Sequence, residues 1–192
     1  MDRFSEWLAV NAPAGHATLG RIAFAQEIAS LESRLGFRLH PDVKALLRLH
    51  NGAGKLRPVA FLPLNHRLIS TSEIIRSHVR IVDFGWHDED SPWEEDHLNG
   101  HAHQWVPFAL PIDGGYAFVD HRPGPTYGHV YELGIGSGDT DATLWATSLG
   151  DLFSQLADAL DEQSSFLHFR PRVDQDTAHG SALTWDVILP TR

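Results

Sequence analysis

Residues Trp105 to Leu133 read WVPFALPIDGGYAFVDHRPGPTYGHVYEL. Three apolar runs alternate with turn residues. Trp105 to Ala109 is broken by Asp113-Gly114-Gly115, Tyr116 to Asp120 by Pro123-Gly124-Pro125, and His129 to Leu133 closes the set. Aromatic and β-branched residues in two-residue alternation, punctuated by Gly and Pro, predict an antiparallel meander. Asp113-Gly114 supplies residue types that tolerate positive φ in tight hairpin turns. This stretch is the expected central sheet, and the flanking chain is expected to pack on it.

On both sides the periodicity changes to helical. Phe4, Trp7 and Leu8 sit at i, i+3 and i+4 of a short amphipathic helix that Asn11 to Gly15 ends. Phe24, Ile28, Leu31 and Leu35 mark a second helix with Gly36 at its C-terminal cap. Pro41 opens a third, striped by Val43, Leu46, Leu47 and His50 and stopped by Asn51-Gly52. The run 59–64 reads as a strand ending at Pro63. Ser70 to Glu73 has capping-box spacing, with Ile69 and Ile74 as its staple, and the helix beyond is expected to bury Ile75, Val79 and Val82. After the meander come a Gly-rich turn from Gly134 to Asp139, a strand over 143–147, and a helix capped at Ser148 whose stripe is Leu149, Leu152, Phe153, Leu156 and Leu160. Two closing runs, 166–170 and 183–189, flank a polar loop as a terminal hairpin. Helices, sheet, helix and hairpin in that order predict an α+β fold: a twisted, mostly antiparallel sheet with helices packed on it. The chain divides into an N-terminal helix and linker (1–20), an α+β domain (21–165) and a hairpin extension of that domain (166–192).

Composition narrows the function classes. The length, 192 residues, suits one domain, and 42% apolar residues is ordinary for a globular chain. No apolar run approaches the ~20 residues of a membrane span. The N-terminus has an early acid and no charged-then-apolar signal pattern, so a cytoplasmic location is the expectation. Zero Cys excludes disulfides, zinc-thiolate sites and a cysteine nucleophile. The net charge of −10 is unevenly spread: residues 1–80 hold 11 Lys/Arg and 6 Asp/Glu, whereas residues 81–169 hold Arg122 against 16 Asp/Glu. So acidic a half repels a phosphate backbone and attracts a basic protein surface. No direct nucleic-acid binding is expected.

The order of motifs resembles a known family. Leu31-Glu32, Leu35-Gly36, Leu39 and Pro41, followed by Leu46-Leu47 and His50-Asn51-Gly52, are similar to the opening of the Smi/Knr branch of the SUKH superfamily. Trp105-Val106-Pro107-Phe108-Ala109 running into Asp113-Gly114-Gly115 and Asp120, then Gly128, Val130-Tyr131 and the helix after Ser148, continue the resemblance. The closing stretch, Pro171 to Trp185-Asp186, is similar to the tail of longer bacterial members. One departure is His40 before Pro41, where Leu is more usual. The resemblance implies an α+β domain without catalytic residues. It implies that Gly36, Pro41, Asn51, Gly52, Trp105, Pro107, Phe108, Asp113, Gly114, Gly115 and Asp120 are structural. For a bacterial member it implies an immunity protein that binds and neutralises a toxin passed between neighbouring cells. Fungal members are linked to cell-wall assembly, so a housekeeping scaffold is the second expectation.

Three constellations remain. The acidic segment between Trp86 and Gln104 carries Trp86, His87, Asp88, Glu89, Asp90, Trp93, Glu94, Glu95 and Asp96, aromatic anchors ringed by carboxylates, which suits a basic protein partner. His87, His97, His101 and His103 fall in the same segment, and a metal-dependent enzyme is the third expectation. Asn99-Gly100 favours a turn between His97 and His101, however, and no zincin pattern appears. No metal and no cofactor are expected. Ser137 lacks the flanking glycines of a nucleophile elbow, and Gly134, Gly136 and Gly138 miss the dinucleotide fingerprint. Trp105, Trp145 and Trp185 follow strand patterns and are expected in the core, Trp7 is expected to dock the first helix, and Arg170 and Arg172 are expected to pair with the acidic sheet half. Oligomeric state is left open.

Overall fold

Helix boundaries follow from local chemistry. The computed structural model describes residues 1–54, 60–83, 101–112, 114–134, 142–176 and 180–189. Helix α1 spans Asp2–Asn11. Pro13 then starts a one-turn helix α2, Pro13–His16, where the pattern suggests only a stop; proline at the first helical position loses no hydrogen bond there. Helix α3, Ala25–Leu35, has Glu27 reaching back to the Phe24 N–H at 2.8 Å and ends at Gly36 with φ of 82°. Helix α4, Pro41–Leu49, stops just before Asn51-Gly52. Helix α5, Thr71–Asp83, follows a true capping box: Glu73 accepts from the Ser70 N–H at 3.0 Å, and the Glu73 N–H reaches Ser70 Oγ at 3.4 Å. Helix α6, Leu149–Asp161, starts with the Asp151 N–H donating to Ser148 Oγ at 3.0 Å.

The meander forms as expected and gains a strand on each side. Strands β1 (Arg67–Leu68), β2 (Trp105–Leu110), β3 (Tyr116–Asp120), β4 (Val130–Leu133) and β5 (Thr143–Ala146) pair in that order, every neighbour antiparallel. A register shift between Pro107 and Ala109 marks a bulge at the proline, which has no N–H for the ladder. The expected strand over 59–64 is corrected. Val59 lies outside the described residues, Phe61 and Leu62 are buried outside any strand, and Pro63–Asn65 is a 3₁₀ turn. The edge strand is instead Arg67–Leu68, because proline cannot continue a ladder on its donor side.

Both faces of this sheet are covered, so strict polar-out alternation is absent. On the first face Val106, Ala109, Ala117, Val119 and Val130 join one core with α1, α3, α4 and α6, including Phe4, Leu8, Leu31, Leu47, Leu152 and Leu156. On the second face Trp105, Tyr116, Phe118, Tyr131 and Leu133 pack with Ile81 of α5 and Ala102. The α5 stripe is corrected. Its buried residues are Thr71, Glu73, Ile74, Ser77, His78 and Ile81, while Val79 is half exposed. Helical periodicity located the helix, but its buried side combines Ile74 and Ile81 with the hydrogen-bonded Glu73 and His78, which leaves Ile75 at the core margin and Val79 outside.

The C-terminal hairpin pairs β6, Phe169–Asp176, with β7, Gly180–Val187, in full register. The polar stretch after Arg170 is therefore strand, not loop. Leu183 and Trp185 reach the first-face core, and the Trp185 indole donates to the Phe61 carbonyl at 3.0 Å. Arg172 pairs with Asp174 at 2.8 Å and Asp186 at 3.2 Å inside the hairpin, not with the acidic sheet half, because the hairpin register puts those acids nearest. Trp145 is buried in the core as expected, and Trp7 packs at its edge. Among the described residues, no helix is long and apolar enough to cross a membrane.

Candidate functional site at one end of the sheet

One end of the meander gathers the polar chemistry. β2 starts there at Trp105, β3 ends at Asp120 and β4 starts at Val130, so residues 121–129 connect β3 to β4 beside the entry to β2. Strand alternation puts Asp120 on the same side as Phe118, opposite Trp105 in the register. Its carboxylate is fully buried. It accepts from the Arg122 N–H at 3.0 Å, from Arg122 Nε at 2.9 Å, from Arg122 Nη2 at 2.8 Å and from Thr126 Oγ1 at 2.8 Å. Arg122 is itself only 1% exposed. A buried, bidentate Arg–Asp pair of this kind fixes geometry, and its charge-assisted bonds are about twice as strong as neutral ones.

The backbone completes the lock. Asp120 N–H donates to the His129 carbonyl at 2.9 Å, Gly128 N–H to the Asp120 carbonyl at 2.8 Å, and His121 N–H to the Gln104 carbonyl at 2.9 Å. Gly128 has φ of 93°, and a Cβ there would approach His40 Nε2 to 2.6 Å. Glycine therefore meets two demands at once, a left-handed turn and close approach to the imidazole. The His40 ring accepts from the Asp42 N–H at 3.2 Å, capping α4, and lies 4.9 Å from the Tyr127 ring. The His40 N–H donates to His121 Nε2 at 2.9 Å, while His121 Nδ1 lies 2.9 Å from the Val119 carbonyl. Those two bonds fix a neutral tautomer with the proton on Nδ1. Burial pushes the His121 imidazole down to about 4; the Val119 bond opposes this, and neighbouring His40 and His78 push the same way. His78 is also lowered by burial, and its Nε2 lies 2.7 Å from the His103 carbonyl. Phe37 fills the gap, 5.4 Å from the His121 ring and 6.3 Å from His78.

Beneath this network the second face carries a ladder of rings, Trp105 on Phe118 at 4.2 Å and Phe118 on Tyr131 at 5.7 Å. Around it, His101 Nε2, Gln104 Oε1, Trp105 Nε1 and His129 Nδ1 are buried with no hydrogen-bond partner among the described residues. Such atoms ordinarily hold a water or a further polar group.

The residues singled out from sequence divide sharply. Trp86, His87, Asp88, Glu89, Asp90, Trp93, Glu94, Glu95, Asp96, His97 and Asp113 lie outside the described residues. The chain enters that segment after Asp83 of α5 and returns at His101, and both ends are tied to the second face by fully buried Ile81 and Ala102. His101 and His103 have rings 6.2 Å apart, and no group of three or more possible metal ligands occurs among the described residues. The signature residues occupy backbone-critical places. Asn51 Oδ1 accepts from the Thr71 N–H at 2.8 Å, tying α4 to α5. Gly52, with φ of 79°, passes so close to the Ser70 backbone that a side chain would collide, and Gly115 does the same at the Leu133 carbonyl. Gly114 turns with φ of 97°, and Phe108 is buried beside the bulge. Asp120 was expected to be structural, but its partners Arg122 and Thr126, and the adjoining His121 and Tyr127 that pack with His40, were missed. The available signal was an Arg, the one basic residue in an acidic half, two positions beyond the strand-ending Asp.

Comparison with curated proteins returns no match. The model of the SMI1 / KNR4 family (SUKH-1) matches residues 23–155, from the start of α3 into α6 and so including the whole polar end of the sheet, and on that match the chain belongs to the SMI1/KNR4 family.

Proposed function

We propose that this chain is a non-enzymatic protein-binding module, an immunity protein that neutralises a secreted bacterial toxin by direct contact through its acidic half. The observation that carries the reading is the charge partition: 16 Asp/Glu against one Lys/Arg in residues 81–169, with six of those acids in residues 84–100 and no Lys or Arg among them. The one basic residue, Arg122, is buried against Asp120, so its charge is withheld from the surface. A basic partner is drawn to such a surface at long range, and oriented encounters are accelerated. Family membership supports a binding role, since the family is generally non-catalytic.

The test is co-expression with the toxin encoded beside the gene. The wild-type chain is expected to restore growth, and the Asp88→Lys, Glu89→Lys, Glu94→Lys, Glu95→Lys variant to lose that rescue while unfolding at the same temperature. Full rescue by the variant would remove the acidic segment from the interface. Failure of the wild-type chain to protect would favour the scaffold role linked to cell-wall assembly.

A further inference from the structure

We infer that His121 is a neutral latch between the entry to α4 and the β3–β4 connection, and that adding a proton to its ring opens this seam while the rest of the domain stays folded. The latch is a property of the fold and does not depend on what the chain binds.

The geometry allows one protonation state. The His40 N–H donates to His121 Nε2 at 2.9 Å, so that nitrogen is bare. The other nitrogen, Nδ1, lies 2.9 Å from the Val119 carbonyl and carries the proton. A second proton has only Nε2 to go to, where it would face the His40 N–H, donor against donor. The ring has no room to turn away in place. It is buried, packed on Phe37 at 5.4 Å and against the rings of His40 at 6.4 Å and Tyr127 at 6.0 Å. The charged and titratable groups around it do not compensate. His40 from the entry to α4 and His78 from α5 can only add positive charge. Asp120 is already held by Arg122 and Thr126, the Asp42 carboxylate lies 3.9 Å from the other imidazole at His40 Nδ1, and Arg38, next to Phe37, is paired with Glu32. Tyrosine, here Tyr127, is uncharged in acid.

The neighbouring ties have different chemistry, which makes the opening local. The residue before His40 is held by a carboxylate. The Leu39 N–H donates to Glu32 Oε1 at 2.9 Å, and Lys44 and Arg38 pair with the same carboxylate at 2.6 and 3.1 Å. Burial raises the Glu32 carboxyl, but these bonds outweigh it and hold the group below the usual range. That tie therefore persists in mild acid, where the His121 tie does not. On the sheet side, the Asp120 and Gly128 N–H groups bond backbone carbonyls, which do not titrate. Helix α4 itself stays anchored by Val43, Leu46 and Leu47 in the first-face core. Across the seam His40 adds ring packing, on Tyr127 at 4.9 Å and against Gly128, which carries no directional bond. Breaking the His121 bond thus frees the entry to α4 from residues 121–129 and leaves both flanks in place.

The experiment follows amide hydrogen exchange of the full chain by NMR between about pH 7 and about pH 5, read as protection factors so that the intrinsic pH dependence of exchange cancels. Closed, burial holds the His121 imidazole down to about 4; open, it titrates near the ordinary ~6.5, so the open fraction should rise about 20-fold over that range. Protection at the His40 amide is expected to fall by that factor while staying nearly independent of low denaturant, because a local opening exposes little surface. Leu152 and Leu156, which open with the whole core, should show a steep denaturant dependence. His121→Gln keeps an acceptor for the His40 N–H without an ionisable group, and its His40 protection is expected to be the same at both pH values. Ring-nitrogen spectra of the wild-type chain give a reading that needs no variant: His121 is expected as the Nδ1–H tautomer, titrating below an exposed histidine. Constant protection at His40, a denaturant dependence as steep as that of the core, an undiminished fall in His121→Gln, or an Nε2–H tautomer would each overturn the latch.

Discussion

The two faces of the meander bury comparable rows of side chains by different means. The first face is aliphatic, Val106, Ala117, Val119 and Val130 under four helices, and its contacts are non-directional. The second face is aromatic and polar: Trp105, Phe118 and Tyr131 in a ladder, Asp120 locked to Arg122, and several ring nitrogens and an amide oxygen with no partner among the described residues. The difference teaches how the two faces answer a perturbation. An aliphatic face tolerates small volume changes and loses energy in proportion to area. A buried polar network is all or nothing, because removing one member strands the others. Residues that reach the surface from the second face are therefore held in one geometry.

The largest expected effect breaks this contrast at its centre. Asp120→Ala leaves the Arg122 guanidinium buried without its carboxylate and should cost about 3–5 kcal/mol in denaturant-unfolding free energy. A loss under about 1 kcal/mol would mean that apolar packing alone holds the second face, as it does the first. Acid is the next probe. Unfolded, His121 titrates near the ordinary ~6.5; folded, it is held down to about 4. Its stabilising contribution is complete above pH 6.5 and is lost as pH falls toward 4, about 2 kcal/mol of it between pH 6.5 and 5. His50 and His78, also lowered by burial, act in the same direction. His121→Gln should flatten that part of the stability–pH curve, and an undiminished slope would place the acid sensitivity elsewhere. The smallest effect sharpens the comparison from the first face. Ser148→Ala removes the cap of α6 and should cost about 1 kcal/mol with no change in pH dependence. A cap variant that altered acid sensitivity would show the two faces to be coupled.

Much of this was legible in the linear chain. The caps at Ser70 and Ser148, the stop at Gly36, the proline start of α4 and all three strands of the meander follow from short-range chemistry. The same reasoning failed where distant groups decide. Val79 has helical spacing with its apolar neighbours, yet the buried side of α5 is the one that places His78 against the His103 carbonyl. The polar run after Arg170 becomes strand because Gly180–Val187 supplies a partner across the hairpin. His40 looked like a neutral departure before a helix-starting proline, but it braces Tyr127 and bonds His121, eighty-one residues away.

By itself the sequence determined most of the helices, the three meander strands, the α+β class, the family pattern and the division of charge, since each depends on residue spacing or simple counting. Only the tertiary structure decided that the lone Arg of the acidic half is buried and that the residues around it form one locked loop. The reason is physical. The sign of a charge is local information, but its burial depends on which carboxylate the folded sheet brings within hydrogen-bond distance.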